Sequence, residues 1–229
     1  MSFVAEVLRA ARIVAGKDVV IELRTREITV STALFALLVA VLTSLSFFVD
    51  DQSGRRIAPG VLWISIAFAG VLAIGRTWAR ERDHDAMRGL LLSPIPRAGI
   101  WLGKAIATFS FLAVVELLLV PLVAILFRVD LLPVLPRLAL VLGMGTLGFV
   151  AAGTLFGAMS VRTRARELML SVVLFPLVAP ALLASVVATR ELLGGASVTE
   201  TIEWVRILAA YDIVVVTAGL VLFGPLMND

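Results

Sequence analysis

Residues 78–97 read WARERDHDAMRGLLLSPIPR and form a hydrophilic island between two long apolar stretches. A membrane-spanning helix needs roughly 20 apolar residues, so the island is expected to lie outside the bilayer between two spans. The composition supports this, because 60% of the 229 residues are hydrophobic and only 16% are charged. Soluble domains are about 25% charged. The chain is therefore predicted to be an all-α polytopic membrane protein.

Six stretches have the length and composition of transmembrane helices. They are 29–49, 57–75, 105–127, 138–161, 168–189 and 207–227. Two of them carry one charge each, Glu116 in the third and Asp212 in the sixth. The connections are short, so we expect antiparallel neighbours in one bundle and a single domain over 1–229.

The basic residues predict the orientation of these spans. Of the 20 Lys and Arg, 14 lie in the N-terminal segment, in the island with its flanks, and between the fourth and fifth spans. The positive-inside rule then places both termini and the island in the cytoplasm. Because the first apolar run is long enough to span, no signal peptide is expected. The excess of positive charge is thus explained by topology, and no nucleic-acid partner is predicted.

The N-terminal segment has apolar residues at helical spacing, which predicts an amphipathic helix in the membrane interface. These residues are Phe3, Val4, Val7, Leu8, Ala11 and Val14. Such a helix would orient the first span. The alternative is a docking surface for a partner.

Within the island, 80–92 is predicted to form a short amphipathic helix. Its apolar patch consists of Met87, Leu90 and Leu91, which recur at helical spacing. The charged remainder consists of Arg80, Glu81, Asp83, Asp85 and Arg88, and Pro94 follows the residue where the helix is expected to end. A helix of this kind could receive force from a soluble partner, or it could be a solvated helix lying on the bilayer.

Enzymatic chemistry is not indicated. The segment GIWLGKA at 99–105 has three residues between its glycines and alanine in place of Ser or Thr, so it departs from a phosphate-binding loop. If the protein uses ATP, another subunit must bind it. There is no cysteine, no HExxH motif and no pair of aspartates at facing depths. We therefore predict no catalytic and no metal-binding residues.

Two acidic residues lie inside the predicted spans. Glu116 is at mid-span, where a charge is functional by default, but a neutral, hydrogen-bonded structural acid is the alternative. Asp212 is expected to be an interfacial acid that reaches the headgroup zone.

Two glycines in the fourth span and two prolines in the fifth span are further candidates. Gly153 and Gly157 form a GxxxG pattern that allows close helix approach, either inside one subunit or at a dimer seam. Pro176 and Pro180 remove backbone hydrogen bonds from the fifth span, which gives either a static kink or a hinge.

Two blocks resemble the CcmB family, the membrane subunit of the cytochrome c maturation ABC system. They are IAPGVLWISIAFAGVLAIGRTWARERDHDAMRGLLLSPIPRAGIWLGK at 57–104 and TLGFVAAGTLFGAMSVRTRARELMLSVVLFPLVAPALLASVVAT at 146–189. The resemblance implies a homodimer in the bacterial inner membrane, surrounded by lipid. It also implies a CcmA-like ATPase that binds ATP and Mg, a haem-handling CcmC-like subunit and a small CcmD-like subunit.

The resemblance further implies that the island is the coupling helix and that haem is a substrate of the complex. No cofactor is assigned to this chain itself. His84, its only histidine, is expected to be solvated or to contact the ATPase rather than to ligate haem.

The sequence is compatible with three functions. The first is a permease that couples ATP hydrolysis to haem transport or to release of a haem-loaded chaperone. The second is a non-transporting scaffold for cytochrome maturation subunits. The third is an ABC-2-type permease for another substrate. Copurification of a stoichiometric ATPase would favour a permease over a scaffold.

Overall fold

A computed structural model describes residues 3–47, 51–83, 89, 92–160 and 166–227. Within these residues there are seven α-helices, one short 3-10 helix and no strand. The α-helices are α1 (Phe3–Thr25), α2 (Glu27–Ser46), α3 (Asp51–Asp83), α4 (Arg97–Leu126), α5 (Leu135–Ser160), α6 (Arg166–Leu193) and α7 (Val198–Leu226), and the 3-10 helix is Leu132–Val134. The helices α2 to α7 are long and apolar enough to cross a membrane. The predicted all-α fold with six spans is confirmed.

Several helices extend past the predicted spans. Helix α3 continues to Asp83, so the first residues of the predicted 80–92 helix are its last turn. Helix α7 begins at Val198, well before residue 207, because Ser197 caps it. The Ser197 hydroxyl accepts from the Glu200 N–H, and the Glu200 carboxylate accepts from the Ser197 N–H, an arrangement that satisfies two otherwise unpaired donors.

Helices α3 and α5 occupy the middle of the bundle. Of their most apolar 18-residue windows, 67% and 72% are buried, against 28–39% for the other four spans. Helix α3 packs against α2, α4, α5 and α6, and α5 packs against α3, α4, α6 and α7. Large buried side chains such as Trp63, Trp78 and Phe149 fill the space between them.

The GxxxG glycines on α5 face α3 of the same chain. A Cβ added to Gly153 would lie 2.1 Å from Ile74 Cδ1, and one added to Gly157 would lie 2.5 Å from Trp78 Cδ1. Both distances are too short for carbon atoms in van der Waals contact. Of the two interpretations of this pattern, the structure therefore uses these glycines for packing inside one chain.

The N-terminal helix α1 lies along α4. Small residues allow this approach, since a Cβ on Gly99 would lie 2.5 Å from Ala10 Cβ and one on Gly103 would lie 2.7 Å from Val14 Cβ. The apolar residues that were predicted to form one face of α1 differ in their burial. Val7, Ala11 and Val14 are buried, whereas Phe3, Val4 and Leu8 are exposed. The position of α1 in the membrane interface stays a prediction.

Candidate functional site

Charged side chains from α1, α3 and α4 meet in the interior at the end of α3, next to the island. We call this group the charge cluster. Its members are Lys17, Asp18, Glu22, Arg80, Glu81 and Lys104. Charges removed from water are tolerated when they are paired, and each member of the cluster has a partner of opposite sign.

Lys104 is the centre of the charge cluster. Its Nζ lies 2.5 Å from Glu81 Oε1 on α3 and 2.7 Å from Asp18 Oδ2 on α1. The ammonium group is also 5.9 Å from the centroid of the Trp78 ring, within the range of a cation–π interaction. Lys104 therefore joins three helices through one buried cation.

Lys17, which is partly exposed, also binds the Glu81 carboxylate. Its Nζ donates to Glu81 Oε1 at 2.6 Å and lies 3.4 Å from Asp18 Oδ1. Burial alone lowers the pKa of Lys17, but the hydrogen bond to Glu81 and the charges of Asp18 and Glu81 outweigh it. The pKa is therefore raised above its ordinary value of 10.5, and Lys17 is a cation at neutral pH.

Arg80 connects α3 to the junction between α1 and α2. Its Nη2 lies 3.1 Å from Glu22 Oε2, while Glu22 Oε1 accepts the backbone N–H of Thr29 at 2.7 Å. Glu22 thus also satisfies a donor in the first turn of α2. The junction is a single residue, Arg26, whose φ of 54° is rare for a side chain other than glycine.

The predicted coupling residues are therefore divided by the structure. Arg80 and Glu81 belong to the charge cluster. Glu81 was expected on a surface that contacts a partner, but in this chain it is buried. Asp83 ends α3, and Pro94 is exposed in the bend before α4. The remaining ones, with His84, lie outside the described residues: Asp85, Met87, Arg88, Leu90 and Leu91.

Sequence reasoning missed four members of the charge cluster, because it counted the two lysines only for topology and assigned the two acids no role. These are Lys17, Asp18, Glu22 and Lys104. One signal was available: Asp18 and Glu22 are four residues apart and share one face of α1. Two acids on one face of a helix that packs against the bundle predict cationic partners on the neighbouring helices.

Glu116 is buried on α4, where its Oε1 accepts a hydrogen bond from the Thr146 hydroxyl of α5. It lines a groove of about 730 Å³ between these two helices. The other lining residues are mainly apolar, for example Phe109, Leu117 and Leu142. The hydrogen bond matches a structural role for this acid, and its position at the groove leaves a role toward a ligand open to test.

Asp212 lies near the middle of α7 rather than at an end, because α7 begins at Val198. It is buried against α5, where a Cβ on Gly148 would lie 2.4 Å from its Oδ1. Among the described residues, neither carboxylate oxygen finds a hydrogen-bond donor. The expectation of an interfacial acid reaching the headgroup zone is thus not met.

Pro176 and Pro180 both lie inside α6. Between them, the carbonyl of Leu177 accepts a hydrogen bond from the Tyr211 hydroxyl of α7 at 3.1 Å. The prolines remove backbone donors from this stretch, and α7 supplies a side-chain donor to it. The stretch of α6 that contains the two prolines is thereby bound to α7.

The part of the chain that the structure describes holds no group of three or more His, Cys, Asp or Glu suited to a metal ion. The features of the described residues that could serve a function are ion pairs, hydrogen bonds and grooves between helices. Six membrane-length helices, with a cluster of buried ion pairs at one end of the bundle, define a multi-pass membrane protein. A protein-family model described as "CcmB protein" matches residues 9–224, and the chain belongs to the CcmB family.

Several similar proteins are named "Heme exporter protein B". The one from Paracoccus denitrificans (strain Pd 1222) is 29% identical over 163 residues, which is 70% of this chain and 74% of the relative. The one from Pseudomonas aeruginosa is 26% identical over 189 residues, or 82% of this chain and 83% of the relative. The one from Bradyrhizobium diazoefficiens is 24% identical over 179 residues, covering 78% and 80%.

Proposed function

We propose that this chain is the permease subunit of an ABC transporter complex for haem export or delivery in c-type cytochrome biogenesis. The observation that carries this proposal is the family match over 9–224 together with relatives named for haem export. In this proposal the chain is not an enzyme. ATP and Mg are bound by a separate CcmA-like ATPase, because the chain contains no phosphate-binding loop of its own.

The charge cluster suggests how movement would enter the membrane. Helix α3 ends at Asp83 and α4 begins at Arg97. The rest of the island therefore connects these two helix ends. Glu81 and Lys104 pair across that gap, and both are also bound to α1. A displacement of the island by an ATPase would therefore move α1, α3 and α4 together instead of bending one helix.

The proposed partners follow the family assignment. They are a CcmA-like ATPase on the cytoplasmic face, a haem-handling CcmC-like subunit and a small CcmD-like subunit, in a complex that contains two copies of this chain. The location is the bacterial inner membrane with both termini in the cytoplasm. Reporter fusions after Ser53 and Gly194 should report the outside, and a fusion after Asp85 the inside. The opposite pattern would contradict this topology.

Copurification tests the proposed function. The purified complex should contain a stoichiometric ATPase, and its mass gives the copy number of this chain. Deletion of the gene should abolish haem attachment to c-type cytochromes. A complex without ATPase would instead indicate a scaffold, and normal cytochrome maturation in the deletion strain would indicate a permease for another substrate.

The coupling surface is tested separately with Met87→Asp combined with Leu91→Asp. Burial of an apolar side chain of this size contributes about 1.5–3 kcal/mol, and a buried unpaired carboxylate opposes association. ATPase copurification should fall sharply while the abundance of the chain stays near wild type. Asp85→Lys is the control and should do much less, because exposed ion pairs contribute about 0–1 kcal/mol. Full ATPase stoichiometry in the double variant would exclude the island as coupling surface.

A further inference from the structure

Three arginines converge at the end of the bundle opposite to the charge cluster. Arg55 and Arg56 near the start of α3 and Arg190 near the end of α6 line a cleft of about 260 Å³, together with Leu193 and Gly194. Within the described part of the chain, none of the three guanidinium groups has a hydrogen bond or an ion pair. Three unpaired positive charges in one cleft favour an anionic ligand.

An apolar groove of about 230 Å³ lies between the same two helices, deeper in the bundle. Helix α3 contributes Trp63, Ile64 and Phe68 to it. Helix α6 contributes Phe175, Leu183 and Val186. Several of these side chains are exposed in the chain, among them Ile64, Phe68 and Leu183. The groove is therefore suited to an apolar ligand.

The cleft and the groove follow one another along α3 and α6. Arg56, Gly60, Ile64 and Phe68 follow one another at four-residue steps, so they form one row that is inclined to the helix axis. Gly60 leaves that row open between the charged and the apolar parts, because a Cβ added there would have no atom within 4 Å. On α6, Arg190 and Val186 are likewise four residues apart.

The length of this surface along the helices is comparable to the thickness of one leaflet of a bilayer. The apolar spans of α3 and α6 are Ser53–Glu81 and Val173–Leu193, so the three arginines lie at one end of both spans, at headgroup level. Arg56 and Phe68 are about 18 Å apart along the helix at 1.5 Å per residue. Half of a hydrocarbon core of roughly 30 Å is comparable to this length.

We propose that the α3–α6 surface binds one acidic phospholipid. Its phosphate lies in the cleft of Arg55, Arg56 and Arg190, and one acyl chain runs past Gly60 along the groove toward Phe68. Basic pockets between transmembrane helices recognise lipid headgroups through the same chemistry. A free anion would use the cleft but not the groove, and a neutral lipid would use the groove but not the arginines. This site is independent of the proposed transport of haem.

The headgroup contact is tested by native mass spectrometry of the purified full chain with added phosphatidylglycerol or phosphatidylcholine. Wild type should retain one phosphatidylglycerol in preference to phosphatidylcholine. Arg55→Gln with Arg190→Gln should weaken this retention at least about tenfold, since charge-assisted hydrogen bonds are lost. Arg128→Gln with Arg206→Gln is the control, because it removes the same charge from exposed arginines at the same end of the bundle. Equal retention of both lipids, or equal loss in both variants, would overturn the proposal.

The groove is tested with Gly60→Leu, which fills the open face and leaves all three arginines in place. Gly143→Leu is the matched control, since a Cβ on Gly143 also meets no atom within 4 Å. Phosphatidylglycerol retention should fall for Gly60→Leu and persist for Gly143→Leu. Equal retention by the two variants contradicts the acyl-chain path. Displacement of the lipid by inorganic phosphate or by an equimolar amount of haem would show a different ligand and would also overturn the proposal.

Discussion

Glu81 and Lys104 form an ion pair of 2.5 Å that joins the end of α3 to the start of α4. Glu81 lies in the last turns of α3, Lys104 in the first turns of α4, and only 2% and 1% of their side chains are exposed. The two residues are 23 positions apart, and the island lies mainly between them. Any force on the island is therefore received at a point where two spans are already bound to each other.

Replacement of Lys104 by Met should strongly destabilise the fold. It leaves Asp18 and Glu81 in the interior with only Lys17 to neutralise them, and breaking a buried ion pair is worth about 3–5 kcal/mol. Lys104→Met with Glu81→Gln removes one charge of each sign and should recover part of the loss. Unfolding of the purified proteins in detergent gives the coupling energy of the pair. Additive losses in the double variant would show that the two residues act independently.

Glu22 and Glu27 provide a matched test of burial. Both lie beside arginines of α3, but the Glu22 side chain is 5% exposed and the Glu27 side chain is 63% exposed. Glu22→Gln weakens the pairing with Arg80 and the hydrogen bond from the Thr29 N–H, so it should lower the melting temperature. Glu27→Gln should change stability by about 0–1 kcal/mol, as expected of an exposed ion pair. A similar loss in both variants would contradict the structural role of Glu22.

Gly157 and Gly143 are on the same helix but meet different surroundings. Gly157→Ala would bring its Cβ within 2.5 Å of the buried Trp78 ring, and overpacking of this kind is worth about 1–3 kcal/mol of destabilisation. Gly143→Ala meets no neighbouring atom and should stabilise α5 by up to about 1 kcal/mol. Thermal unfolding of both variants measures the difference, and stabilisation by Gly157→Ala would contradict the close approach of α3 and α5.

The hinge hypothesis for α6 is tested with Pro176→Ala and Pro180→Ala together. If the kink only shapes the helix, the double variant should assemble and support normal cytochrome c maturation. We expect an assembled complex with weakened function. Tyr211→Phe is the companion variant, because it removes the hydrogen bond to Leu177 and leaves the prolines unchanged. If only Tyr211→Phe impairs maturation, the tie to α7 is the functional element and the hinge hypothesis fails.

The six spans could be predicted because a transmembrane helix is recognised by its own apolar residues. The length of α3 could not, because its charged end is held in place by residues far along the chain. Lys17 and Glu81, for example, are 64 positions apart and make contact in the folded protein. A hydropathy window interprets Glu81 as the start of a solvated island, whereas its partners on α1 and α4 bury it.

The candidate site was predictable only in part for the same reason. The GxxxG spacing indicated a close approach, but it does not specify the partner, which the structure shows to be Ile74 and Trp78 of α3. Asp212 was expected near a helix end because the sixth span was expected to begin at 207. The capping box at Ser197 starts α7 earlier and brings Asp212 to the middle of the helix.

The members of the charge cluster are synthesised at different times, which affects how this protein folds during biosynthesis. Asp18 and Glu22 are synthesised first, whereas Arg80 and Lys104 follow only after two spans have been made. Until α4 is complete, α1 has neither its main cation nor the Gly99 and Gly103 surface against which it packs. Docking of α1 is therefore expected to be a late step, because a nascent chain that stops before α4 has Arg80 for Glu22 but lacks Lys104 for Asp18 and the helix surface at Gly99 and Gly103.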